Sequence, residues 1–231
     1  MKKKLLISAL CLALAIFLAA CDGKMTTTSP ESPDTSSSSE DLITTETSET
    51  AGAPDTFVNT AEKTTLFSGS WEVGPDIKAG KYILNAGSGM GNLVIHDSSG
   101  PLYINDILTA STETSMGMGV TKIQAYLLDG YTIQISGLSE VICSPAENEM
   151  KNTLITGTHI VGWDIAEGTY IITPNGDMGN LVVYNNAKYL VVNEIIGNNT
   201  MGMGVDKVKA TLKEGYIIDI SGINSLTFTE L

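Results

Sequence analysis

Met116-Gly117-Met118-Gly119-Val120 returns letter for letter as Met201-Gly202-Met203-Gly204-Val205. With Met90 and Met178, these stretches place three thioethers at corresponding points of two long matching segments, and the chain holds 9 methionines in all. A thioether is a soft, polarisable group, so clustered methionines fit three roles. They can plug the end of a core, with the glycines permitting a bulge or a close backbone approach. They can form an adaptable apolar surface for a protein or glycan partner. Read literally, Met-x-Met is also a Cu(I) ligand pair. The core plug is the favoured reading, although strict alternation back from an inward Ile123 turns Met116 and Met118 outward and their glycines inward.

Other chemistry-bearing residues give less. Asp76 and Asp164 recur at matching places, but each turn offers a single acid and no D-x-D-x-D run, so a Ca2+ loop is not indicated. An Asp before Ile and near Gly is expected to cap its own turn. His96 matches Tyr184 and His159 matches Trp71, so no histidine recurs, and neither histidine stands in a motif with a nucleophile. No cofactor or catalytic site is expected, and a hydrolase ranks behind both a binding module and a metal binder.

The elements that must position these residues are written twice. WEVGPDIKAGKYIL at 71–84 matches HIVGWDIAEGTYII at 159–172, and GMGNLVIHD at 89–97 matches DMGNLVVYN at 177–185. MGMGVTKIQAYLLDGYTIQISGL at 116–138 then matches MGMGVDKVKATLKEGYIIDISGI at 201–223, at an offset shorter by three residues. Self-similarity of this kind marks a repeated structural unit. Within each unit, Ile123, Ala125 and Leu127 alternate with Lys122, Gln124 and Tyr126, as Val208, Ala210 and Leu212 do with Lys207, Lys209 and Thr211. Period two with one apolar face is a half-buried strand. Asp129-Gly130 and Glu214-Gly215 read as hairpin turns.

Strands are expected around 66–73, 81–86, 92–97, 102–109, 120–127, 131–136 and 139–144, and again in the second unit, with no helix required. The fold expected is all-β, two tandem small antiparallel sandwich or barrel-like domains at 65–145 and 154–231 joined by a polar connector at 146–153. Cys143 matches Phe228 and is expected to be a buried structural thiol.

The first residues describe a different region. Met1 is followed by Lys2, Lys3 and Lys4 and then by an apolar run from Leu5 to Ala20, the pattern of an export signal. As helix this run covers about 24 Å, short of the roughly 30 Å hydrocarbon core. Leu18-Ala19-Ala20-Cys21 resembles the lipobox of bacterial lipoproteins. That resemblance implies cleavage after residue 20, diacylglyceryl transfer to the Cys21 thiol, and an anchor on the extracytoplasmic face of the cell membrane. Two or three acyl chains hold a protein on a bilayer far better than one. With Cys11 removed and Cys21 lipidated, no internal disulfide is possible.

Residues 21–64 are rich in Ser, Thr and acids and poor in apolar groups, so they read as a disordered tether. The formal charge is −13, and it becomes more negative once Lys2, Lys3 and Lys4 leave. There is no arginine and no lysine cluster in the mature chain, which makes nucleic acid and anionic headgroups poor partners. A cell-wall, glycan or protein ligand remains.

Val73-Gly74-Pro75-Asp76-Ile77-Lys78-Ala79-Gly80-Lys81-Tyr82, with Val161 to Tyr170, resembles the V-G-x-D-I-x-x-G-x-Y signature of a small β module found in exported surface proteins of Gram-positive bacteria. The module's pattern has an Asp after its later turn glycine, where this chain has Tyr131 and Tyr216. The resemblance implies a fold and a location and assigns no ligand.

Overall fold

The computed structural model describes residues 57–113, 115, 117–176, 178–197 and 203–231. The expected signal segment, Cys21 and most of the expected tether lie outside the described residues, as do Met116 and Met201. Among the described residues the regular structure is all β, twelve strands in one hydrogen-bonded network. The N-terminal half carries β1 (Thr64–Glu72), β2 (Gly80–Ala86), β3 (Gly89–His96), β4 (Leu102–Thr109), β5 (Ile123–Leu127) and β6 (Thr132–Pro145). The C-terminal half carries β7 (Thr153–Ile160), β8 (Gly168–Pro174), β9 (Met178–Tyr184), β10 (Leu190–Gly197), β11 (Val208–Leu212) and β12 (Ile217–Glu230).

Segments that match in sequence occupy matching strands with matching partners. β6 pairs with β1, β2 and β3, β3 with β4, and β2 with β5, all antiparallel. β12 repeats this with β7, β8 and β9, as do β9 with β10 and β8 with β11. Registers agree in detail, since Leu84 faces Cys143 where Ile172 faces Phe228. Each half closes on its own buried aliphatic cluster, one around Tyr82, Leu93, Ile133 and Val141, the other around Tyr170, Leu181, Ile218 and Leu226. Clusters of this kind supply the favourable free energy of folding, at roughly 25 cal/mol per Å2 of apolar surface removed from water. Cys143 is fully buried, and burial pushes its thiol pKa up to about 12.

Three expectations need correction. The last two strands expected in each half are one strand of 14 residues. A bend at Gly137 (φ 78°) or Gly222 (φ 74°) lets its first part pair with β3 or β9 and its last part with β2 or β8. The bend absorbs what sequence reads as a turn, because glycine holds positive φ without ending the strand.

Asp129-Gly130 is a tight turn, closed by Tyr131 N donating to Leu128 O at 3.1 Å, but the strands on either side of it pair with other partners. β5 pairs with β2, and the part of β6 that follows the turn pairs with β1 and β3, so the two strands flanking the turn do not pair with each other and make no hairpin. The third correction is that the halves are bonded to each other. β5 lies parallel to β7 through Gln124 and Gly157, which links the two strand sets along a seam. Residues 57–63, expected within the tether, run along that seam. The Phe57 ring lies 5.3 Å from Tyr126 and 5.8 Å from Trp163, and Asn59 Nδ2 donates to Ala146 O.

Candidate functional site

The V-G-x-D-I turn has the same internal bonding in both halves. Gly74 N donates to Ile77 O and Gly162 N to Ile165 O, each at 2.7 Å. Asp76 Oδ2 accepts from Glu72 N at 2.9 Å, and Asp164 Oδ2 from Ile160 N at 2.8 Å, so each aspartate caps the turn that carries it. The tyrosine that ends the signature ties the turn down: Tyr82 OH donates to Lys78 O and Tyr170 OH to Ala166 O, both at 2.9 Å.

Asp76 stops there and is exposed. Asp164 is buried in the seam and gathers side chains from the other half. Lys81 Nζ lies 2.5 Å from Asp164 Oδ1, Gln124 Nε2 donates to the same oxygen at 3.1 Å, and Tyr126 OH donates to Oδ2 at 2.8 Å. Lys81 also donates to Glu147 O at 2.8 Å and stands 5.5 Å over the Tyr126 ring. Desolvation and the adjacent Asp164 carboxylate push the Tyr126 phenol far above its ordinary value.

His159 sits beside them, its Nδ1 2.8 Å from Gln124 Nε2 and its Nε2 2.7 Å from Ile155 O. The amide donates to Nδ1 and the carbonyl accepts from Nε2–H, which assigns one neutral tautomer. Burial holds its pKa below the ordinary value, while Asp164 opposes that shift. A cleft of about 270 Å3 opens over Lys81, Gln124, His159 and Asp164, with Glu149 and Lys151 of the connector on its wall. Among the described residues no buried side-chain nitrogen or oxygen lacks a partner. A set saturated in this way locks two surfaces together, and every proton it holds is already committed.

Sequence reading passes over Lys81, Gln124 and Tyr126, which are matched by Thr169, Lys209 and Thr211. Their signal is divergence between the halves at positions that alternation assigns to solvent. β5 is buried at all five positions, whereas β11 keeps the expected alternation. β7 and the 161–165 turn close over the polar side chains of β5 through Gln124 and Tyr126, whereas among the described residues β11 pairs only with β8.

The methionines form a second feature. Met90 and Met178 are 38% and 42% exposed, Ile107 and Ile195 40% and 48%, and Met118 and Met203 46% and 52%. The same side chains, Met, Ile and Met, therefore reach solvent at the same three positions in each half. Met90 and Ile107 share the outer face of the β3–β4 pair, one diagonal step apart, as Met178 and Ile195 do on β9–β10. Gly119 and Gly204 have φ of 80° and 78°, and a Cβ built on either would lie 2.7 Å from the carbonyl oxygen of Ile107 or Ile195. That close approach runs the backbone at Gly119 and Gly204 along the isoleucine's strand, so the three exposed side chains stand on neighbouring segments. The core-plug reading of Met118 is thus overturned: the glycines face the strand and the methionine faces water. Met116 and Met201 lie outside the described residues.

Among the described residues no group of three or more His, Cys, Asp or Glu side chains is arranged to hold a metal ion. No protein-family model matches the chain, and neither a curated protein nor a solved structure is significantly similar to it.

Proposed function

We propose that this chain is a lipid-anchored surface protein, attached through Cys21 to the extracytoplasmic face of the cell membrane, that presents two β-sandwich modules for binding or adhesion. The observation carrying this reading is the exposed triad of Met90, Ile107 and Met118, present again as Met178, Ile195 and Met203. Exposed apolar side chains cost solubility, and a group of them on neighbouring segments is a contact surface by preference. Thioethers fit such a surface because they adapt to a partner's shape. Two matching patches on one chain would act together, raising avidity for a repetitive ligand such as a wall polymer or a protein array. The tether would lift the pair off the membrane, and the acidic surface would disfavour anionic polymers.

A pull-down from wall and host extracts with the full chain tests this reading, with Ile107→Ser/Ile195→Ser as the control. A ligand captured by wild type and lost by the double variant supports it, and equal capture by both refutes the triad as the contact. The anchor has its own test: Cys21→Ser should abolish lipid labelling and leave an unprocessed precursor.

The second reading is an extracytoplasmic Cu(I) binder. It is favoured by the placing of two soft ligands around one isoleucine in each half, with a third thioether next in sequence to Gly117 or Gly202.

A further inference from the structure

The seam between the halves is heterologous: the N-terminal half contributes β2, β4 and β5, and the C-terminal half contributes β7, the 161–165 turn and the bend of β12. A contact of this kind uses one face of each partner and leaves the complementary face of each unused. The molecule therefore ends in two free faces. One is the outer edge of β1 with the 73–77 turn and the bend of β6; the other is the outer edge of β11 with β10. Among the described residues β1 pairs only with β6, and β11 only with β8.

We propose that these faces bind each other between molecules, so that a second copy of this chain docks head to tail and repeats the internal seam. Gly157 and Gly69 are matched residues with φ of 118° and 143°. A Cβ at Gly157 would fall 1.9 Å from Gln124 O, because β5 fills that space, while a Cβ at Gly69 meets nothing within 4 Å. The strand cradle is formed in both places and filled in one.

Three polar pairings of the seam have counterparts at the free faces, while Tyr126 and His159 are matched there by Thr211 and Trp71. Asp164 is met inside by Lys81 and Gln124; the exposed Asp76 would be met by Lys209, which replaces Gln124, so one lysine still faces one aspartate. Asp106 Oδ1 accepts from Gly222 N at 2.8 Å, and Glu194 keeps the acid for Gly137. Thr121 N and Oγ1 donate to Asn224 Oδ1 at 2.9 and 3.1 Å, and the pair that replaces them is Asp206 with Ser139, acceptor and donor exchanged. An open heterologous contact gives linear chains of molecules, which on a surface become strings of paired modules.

Full-length chain carrying Ser139→Cys and Asp206→Cys, oxidised in detergent solution, should give a ladder of dimers, trimers and longer species on a non-reducing gel, above the wild-type background. Either single variant should give no ladder, and a mixture of the two singles should stop at dimer. Both positions are exposed, so the variants should fold, which circular dichroism checks. Lys209→Glu placed in the double-cysteine chain should lower the ladder severalfold, and adding Asp76→Lys should restore it. A folded double-cysteine chain without a ladder overturns the proposal. So does dimer formation by a single variant, which signals a two-fold contact, or a ladder indifferent to the charge reversal.

Discussion

The turns at 73–77 and 161–165 are built from the same residue pattern and closed by the same bonds, yet one lies on the surface and the other at the centre of the molecule. Asp76 accepts a backbone bond and is otherwise wet; Asp164 accepts the equivalent bond and anchors Lys81, Gln124 and Tyr126. Identical local structure thus carries two energetic roles, and the difference comes from what covers it. A buried ion pair gains little over an apolar contact, because desolvating two charges offsets most of their attraction, whereas removing one partner strands the other. The turn therefore folds in either setting, and the seam decides which aspartate the protein depends on.

The largest effect separating the two turns should come from Asp164→Ala, which leaves the Lys81 ammonium buried without its anion and should cost about 3–5 kcal/mol. Asp76→Ala removes only a solvent-exposed capping bond, worth about 1 kcal/mol. Denaturant unfolding of the two variants measures both, and equal losses would mean that the seam contributes nothing. Next in size is the glycine pair. Gly157→Ala drives a methyl into Gln124 O and must part β5 from β7, so a loss of roughly 2–4 kcal/mol is expected from overpacking together with strain at positive φ. Gly69→Ala meets open space and should incur the backbone strain alone, about 1–2 kcal/mol. If Gly69→Ala proves the more costly, the β1 edge is already occupied in solution.

The residues that recur between the two halves are the ones that build each half: Gly74 and Gly162, Tyr82 and Tyr170, and the alternating apolar sets of β5 and β11. Strand positions were legible for this reason, since period-two burial is local information. The seam was not, because Lys81, Gln124 and Tyr126 are read as outward polar positions until another strand covers them. Even the apparent hairpin at Asp129-Gly130 has the correct turn chemistry, and its flanking strands differ only in which neighbours they choose. The methionine triad was half legible: alternation turned Met118 outward, but only the β3–β4 register brings Ile107 beside Met90.

A third comparison sets Asp106, in the seam, against its exposed counterpart Glu194. Burial raises the Asp106 carboxyl to about 6, against an ordinary 3.8. Between those values the folded chain binds more protons than the unfolded one, so this residue's contribution is fully present below about pH 4 and is lost as pH rises through 6. The loss should be on the order of 2 kcal/mol. Asp106→Asn keeps an acceptor for Gly222 N and removes the titration. The difference between wild-type and variant unfolding curves should therefore slope downward from pH 4 to 6. A flat difference for Asp106→Asn would place that carboxyl in water.

The smallest effect tests the triad. Because Met118 and Met203 are exposed, Met118→Leu/Met203→Leu should change stability by no more than about 0.5 kcal/mol, the usual range for a surface substitution. A loss beyond about 1.5 kcal/mol would return these side chains to the core. Stability unchanged in the double variant leaves the thioether itself as the only property removed, since leucine preserves the volume and apolar character that a partner surface would feel. Titration with Cu(I) or Ag(I) under reducing conditions then separates the two functional readings. Metal binding in wild type that is lost in the variant selects the soft-metal site. Ligand capture from extracts that survives the leucine changes but fails in Ile107→Ser/Ile195→Ser selects the apolar contact, because only the shape and dryness of the patch then matter.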